Sequence, residues 1–208
     1  MGYWVDKTLP RDILLLLTPI FVPGRVSLGD GMEKFARLEQ FLSECRNDIY
    51  PEPLAEPHIS ITNQMTKHLM DEHKFAAGAR VLDVGCGEGL AMEKFKEGGL
   101  DPVGITFGED LRACRDKGLE VHEMDQSFLE FDDAVFDLVW CRHCLEHSIF
   151  PSFTLSQFMR VLKPGGLLYV EVPAPDTACH HESNANHYSV LPKSMWAHLI
   201  VRTGFSHP

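Results

Sequence analysis

Apolar positions in the first 75 residues recur at helical spacing: Phe35, Leu38, Phe41 and Leu42 within Met32 to Cys45, then Ile61, Met65 and Leu69 within Ile59 to Phe75. No alternating strand pattern is visible there, so residues 1–75 predict a helical N-terminal cap. The stretch Tyr50 to His58, with Pro51, Pro53 and Pro57, breaks helix and joins its two pieces. The apolar run Ile13 to Val22 is interrupted by Thr18 and Pro19 and is about half the ~20 residues a membrane span needs. It reads as a buried or substrate-covering helix. The residues before it carry acids (Asp6, Asp12) as well as bases (Lys7, Arg11), unlike a secretory leader.

From residue 80 the rhythm changes to short apolar stretches alternating with amphipathic ones, the pattern of a parallel sheet with helices on both faces. Strands are predicted at Arg80–Val84, Pro102–Thr106, Leu119–Met124, Phe136–Cys141 and Leu167–Val172, with helices between them. Gly98-Gly99, Gly118 and Pro164-Gly165-Gly166 punctuate the helix ends, and Pro192 opens a last helix stopped by Gly204. The fold class is therefore α/β, a Rossmann-like three-layer sandwich with a mostly parallel sheet. The cap occupies residues 1–75 and the main domain 76–208.

Composition narrows the partners. A formal charge of -11 over 208 residues argues against a surface that tracks a phosphate backbone, since that affinity comes from Lys and Arg. A small-molecule acceptor is expected, with no nucleic acid and no integral membrane association. The six cysteines show no disulfide-framework spacing, which fits a reducing cytoplasmic location.

The chemistry concentrates in Val81-Leu82-Asp83-Val84-Gly85-Cys86-Gly87-Glu88-Gly89, a buried strand running into a glycine turn and a helix. Glycines there let a ligand approach the backbone, and the Asp83 carboxylate can hold an amino group. Leu90 stands where the dinucleotide fingerprint G-x-G-x-x-G has its last glycine, which disfavours a nicotinamide cofactor. In an open α/β sheet ligands bind beyond the carboxyl ends of the strands, and Thr106-Phe107, Asp125-Gln126 and Cys141 to His147 all fall at such ends.

V-L-D-V-G-C-G-E-G resembles motif I of class I S-adenosylmethionine-dependent methyltransferases. Asp125-Gln126, the segment Phe136 to His147, L-K-P-G-G (Leu162 to Gly166) and N-H-Y-S-V-L-P (Asn186 to Pro192) are similar, in order, to the small-molecule branch that includes the ubiquinone and menaquinone biosynthesis enzymes. The resemblance implies S-adenosyl-L-methionine as cofactor, held by Asp83, Gly85, Cys86, Gly87 and Gly89 at its methionine part. Thr106 and Phe107 would lie near ribose and adenine, Asp125 and Gln126 at the adenine, and Cys141 and Arg142 beside them. Thr106 stands where the family usually has an acid gripping both ribose hydroxyls. The chain also stops at Pro208, where the family's sixth strand would begin, which implies either a truncated chain or a sheet that ends at five strands, its edge covered by the N-terminal helices or by the second subunit of a homodimer.

The expected reaction is in-line methyl transfer to a small molecule, with His143, Glu146, His147 and His187 as candidate catalytic residues. The alternative is a non-catalytic binding or assembly subunit of the same fold. Cys141, His143, Cys144 and His147 invite a zinc reading, but they contain a single C-x-x-C whose first member ends a strand, so no metal is expected.

Overall fold

The structure, a computed structural model, describes residues 13–19, 32–45 and 55–206. Its elements, in chain order, are β1 (Ile13–Pro19), α1 (Met32–Cys45), α2 (His58–His73), β2 (Arg80–Val84), α3 (Leu90–Glu97), β3 (Asp101–Thr106), α4 (Gly108–Asp116), β4 (Glu120–Glu123), β5 (Phe136–Arg142), α5 (Pro151–Val161), β6 (Leu162–Val172), α6 (Lys193–Arg202) and β7 (Phe205–Ser206). The strands form one sheet of order β4-β3-β2-β5-β6-β1-β7. Neighbours from β4 through β6 are parallel, and β1 is antiparallel to both β6 and β7.

Strand alternation sorts the core into two faces, because successive side chains of a strand point to opposite sides. Leu82, Val84, Val139, Cys141, Leu168 and Val170 face one side, where they pack with Leu155 and Phe158 of α5 and Trp196 and Ile200 of α6. Val81, Leu138, Trp140, Leu167 and Tyr169 face the other, against Ile61, Met65 and Leu69 of α2 and Ala91 and Phe95 of α3. On that second face the Trp140 and Tyr169 rings stack 4.0 Å apart and 6° from parallel. Continuous apolar runs such as Leu138 to Cys141 form strands for this reason: both faces of the sheet are covered.

The chain leaves β2 for β3 and β4 on one side of the sheet and returns through β5 to β6 on the other. The order thus reverses between β2 and β5, whose carboxyl ends part to open a crevice there.

Three expectations change. Ile13–Pro19 is a strand, not a helix: its register runs from Ile13 opposite Val172 to Leu17 opposite Leu168, and Thr18 and Pro19 lie opposite Ser206 and Phe205. The five apolar residues satisfy either period, and the open edge of β6 decides the matter by offering unpaired backbone groups that a short extended segment satisfies. The sheet therefore does not end at five strands; β1 and β7 cover the edge that the sequence left to cap helices or a second subunit. Ile20 to Val22 and the proline stretch as far as Leu54 lie outside the described residues. Second, α1 forms as expected, but its periodic apolar positions are not all buried: Phe35 and Phe41 are 60% and 47% exposed. Third, β6 starts at Leu162 directly after α5, five residues earlier than expected. Leu162 pairs with Phe136 ahead of a register shift that absorbs the Pro164-Gly165-Gly166 kink.

Adjacent residues of a strand send their N–H groups to opposite sides, so replacing both Leu15 and Leu16 with proline must remove at least one donor on the β6 side. An unsatisfied buried backbone group costs about 1–3 kcal/mol, and each kcal/mol lowers the melting temperature of a chain this size by roughly 2–4 °C. The double variant is expected to melt several degrees below the parent in a calorimetric scan. An unchanged transition would place Ile13–Pro19 outside the sheet.

Candidate functional site

The glycine turn sits where β2 runs out, and its three glycines answer to two different constraints. At Gly85 (φ +70°) a Cβ would lie 2.6 Å from Cys144 Sγ, and at Gly89 (φ +86°) 2.5 Å from Leu119 Cδ1, so both are set by packing against the protein. Gly87 (φ +51°) has nothing within 4 Å of such a Cβ and lines a cavity, so only there does the missing side chain leave room for a ligand. The turn is held from below: Gly85 and Cys86 donate their N–H groups to Ile105 O, Cys114 Sγ donates to Gly87 O at 3.2 Å, and Lys117 Nζ donates to Glu88 O at 2.7 Å.

The cavity, about 590 Å³, opens over the carboxyl ends of β2, β3 and β5. Asp83, Gly85, Cys86, Gly87, Thr106, Phe107, Asp125, Gln126, Arg142, His143 and His147 line it. Four sequence-predicted residues stand behind this lining. Gly89 caps the start of α3, Cys141 packs into the apolar core, and Glu146 and His187 lie outside the wall. Asp125 Oδ1 accepts the Ser127 N–H at 2.8 Å, and Gln126 Nε2 donates to Cys144 O at 2.9 Å, so both residues also shape the loop that presents them.

Asp83 is 2% exposed, and its Oδ2 has no hydrogen-bond partner among the described residues. Burial pushes its carboxyl up to about 7, because removing the charged form from water is penalised and no cation among the described residues offsets the loss.

Glu171, also buried, is the opposite case. Its Oε1 stands 2.9 Å from Arg142 Nε and 3.1 Å from His143 Nε2, and its Oε2 accepts the Tyr169 hydroxyl at 2.7 Å. Burial works to raise this carboxyl, yet the His143 hydrogen bond and the Arg142 charge outweigh it and hold it at about 2. Arg142 extends the network to the cap, donating to Thr62 Oγ1 at 3.3 Å and His58 Nδ1 at 3.4 Å on α2. The His143 backbone takes a left-handed φ of +49°, which costs an L-residue roughly 1–2 kcal/mol, and Glu171 holds it at both ends through N–H to O and ring to carboxylate.

Sequence reasoning missed Glu171 and Tyr169, although one acid in the apolar run Leu167 to Val172 was a legible signal of a buried charge needing partners. It also missed Cys45, His58 and Thr62, which α1 and α2 bring to the cavity wall beside Leu42.

A second group forms in the turn after β5. His147 Nδ1 lies 2.9 Å from Asn186 O, and the His147 and His187 rings meet edge to face at 4.8 Å. Glu146 is 1% exposed, and among the described residues neither its Oε2 nor His187 Nδ1 has a hydrogen-bond partner.

Residues 61–206 match the family model described as a methyltransferase domain. Among curated relatives, a ubiquinone biosynthesis O-methyltransferase of Methylococcus capsulatus is 31% identical over 150 residues, covering 68% of this chain and 56% of its own length. A second enzyme of that name, from Hahella chejuensis, is 35% identical over 115 residues, 51% of this chain and 48% of its own. The chain thus spans about half the length of the curated relatives it matches. A solved S-adenosylmethionine-dependent methyltransferase from Archaeoglobus fulgidus superposes with a TM-score of 0.59 at 22% identity, covering 70% of this chain and 69% of that one, which shows a shared fold. The glycine turn, the crevice at the strand reversal and the match over residues 61–206 converge on one assignment: the chain belongs to the methyltransferase domain family.

Proposed function

We propose that the protein transfers a methyl group from S-adenosylmethionine to a small molecule, and that the cavity between the glycine turn and the cap holds both reactants. The observation that carries this reading is Asp83, a buried carboxylate with an unpartnered oxygen at the edge of a ligand-sized cavity, beside a glycine that leaves the backbone open. A carboxylate so placed fits a ligand that brings its own cation, as this donor does with its ammonium.

When bound, S-adenosylmethionine supplies an electrophilic methyl on a sulfonium. The chain supplies the rest. Asp83 and the backbone of Gly85, Cys86 and Gly87 would hold the amino-acid end, Thr106 and Phe107 the ribose and adenine, and Asp125 and Gln126 the adenine edge. Glu109 and Asp110 also line the cavity, so its donor side is rich in acids that suit a cationic cofactor. Arg142, His143 and His147, with Leu42 and His58 of the cap, would surround the acceptor and exclude water from it. Of the four candidate catalytic residues, His143 and His147 are the two that reach the wall. Both ring nitrogens of His143 face carboxylates, Glu171 at 3.1 Å and Glu146 at 3.6 Å, an arrangement that positions the ring rather than prepares it to accept a proton.

The names of the relatives favour an oxygen nucleophile on a ubiquinone-related acceptor. The six unpaired cysteines fit a cytoplasmic location, and among the described residues no helix is long and apolar enough to cross a membrane.

Two measurements test the donor site. Gly87→Val places a branched side chain in the cavity, and forced overpacking of about 1–3 kcal/mol should weaken S-adenosylhomocysteine binding about 5- to 150-fold in a calorimetric titration. Undiminished affinity would remove the glycine turn from the site. The second is a pH series. With its folded value raised to about 7, Asp83 contributes stability to the unliganded protein that is fully present below about pH 4 and lost as the pH rises through 7. A ligand ammonium favours the charged carboxylate, so binding below pH 7 releases a proton. Affinity for S-adenosylhomocysteine should climb from pH 5 to pH 7, by at most about tenfold per unit, and then level off. Asp83→Asn should flatten that slope; an unaltered slope would mean that another group receives the ammonium.

A further inference from the structure

We propose that Glu146, His147 and His187 bind a divalent transition-metal ion of the zinc type at the acceptor end of the cavity. One nitrogen or oxygen of each residue lies within 4.8 Å of the others. The sequence reading expected no metal and weighed Cys141, His143, Cys144 and His147 for zinc. The fold breaks that set up, because Cys141 points into the apolar core, and it brings in His187 from 40 residues beyond His147.

Three independent features single out this cluster. The first is its unmet polar demand: Glu146 Oε2 and His187 Nδ1 are both buried with no hydrogen-bond partner among the described residues, a cost that a bound ion would offset. The second is the tautomer of His147. A backbone carbonyl can only accept, so the 2.9 Å contact with Asn186 O fixes the proton on Nδ1 and leaves the Nε2 lone pair for a ligand. Metal-bound histidines characteristically donate their other ring nitrogen in this way. The third is support around the ligands: Glu146 Oε1 faces His143 Nδ1 at 3.6 Å, Ser189 N–H donates to Glu146 O at 2.9 Å, and the His181 ring stacks on His187 at 5.8 Å.

The donor set names the class of ion. Two imidazoles and one carboxylate suit zinc, cobalt or iron better than magnesium or calcium, which prefer all-oxygen shells. Ligand atoms about 2.1 Å from a tetrahedral zinc stand about 3.4 Å apart, so the three side chains would close by up to roughly 1.4 Å, within the range of small rotamer adjustments. Three protein ligands leave a fourth position open, and because His147 lines the cavity that position lies on the acceptor side. This last point rests on the methyltransferase reading and fits an oxygen-bearing acceptor; the cation site itself does not depend on it.

The test uses the full chain, freed of metal with a chelator and then titrated with Co²⁺ while its visible absorption is followed, with Zn²⁺ as competitor. One Co²⁺ per chain, with bands of four- or five-coordinate cobalt that Zn²⁺ abolishes, is expected. His187→Ala and Glu146→Gln should each weaken Co²⁺ by on the order of 100-fold or more, since even a lost supporting contact costs 10- to 100-fold. His147→Asn serves as the mildest variant, because its amide can still donate to Asn186 O while the coordinating nitrogen is gone; a cooperative thermal transition in each variant shows that it folds. Absence of one-to-one uptake, or wild-type Co²⁺ affinity in folded His187→Ala or His147→Asn, overturns the proposal. S-adenosylhomocysteine affinity of the wild-type protein, measured separately, reports on the donor site, so failure of one reading is distinguishable from failure of the other.

Discussion

Burying a carboxylate costs several kcal/mol unless a partner returns what water provided, and the site is arranged around two carboxylates that meet this constraint in opposite ways. Glu171 is satisfied within the protein, by Arg142, His143 and Tyr169 at once. Asp83 keeps an oxygen without a partner. The first arrangement makes a rigid wall, since three side chains from β5, its following turn and β6 cannot move independently while they share one anion. The second leaves a demand that a cationic ligand can meet. A donor that arrives with its own positive charge therefore gains from a cost already incurred in folding, and the wall facing it does not have to reorganise.

The Glu171 network also explains how the cap and the sheet become one site. Arg142 has five N–H donors, and after facing Glu171 it still reaches Thr62 and His58 on α2. The same helix buries Ile61, Met65 and Leu69 against the sheet face carrying Val81, Trp140 and Tyr169. The apolar contacts dock α2 and the polar ones set its register, which brings Thr62 and His58 to the cavity wall. The His58 and His143 rings, 5.3 Å apart and nearly perpendicular, complete that junction.

Departures from the family pattern fall where the structure supplies other support. Thr106 offers one hydroxyl where an acid is usual, yet the cavity gains Glu109 and Asp110 from the start of α4 beside it. The antiparallel position next to β6 is filled from the front of the chain, by β1, with β7 beyond it. Both cases follow from one property of parallel sheets: the ladder asks for backbone groups and the crevice for charge, and neither requires them from a particular stretch of sequence.

The sequence by itself determined the α/β class, the position of β2 to β5, the glycine turn and much of the cavity lining between Asp83 and Gln126. These are local properties: apolar runs bounded by glycine and proline, and ligand-facing residues within a few positions of a strand end. Tertiary structure decided what local pattern leaves open. The run Ile13 to Leu17 is equally apolar as helix or strand, and only the unpaired edge of β6 made it β1. Cys141 and Arg142 are adjacent in sequence, yet alternation sends one into the core and the other to Glu171. Gly85, Gly87 and Gly89 look alike in sequence and differ only in what stands where their side chains would be. His187 and Glu146 are separated by 41 positions and come together because Ser189 and Asn186 tie their loop to the turn after β5, a contact between distant segments that no spacing along the chain encodes.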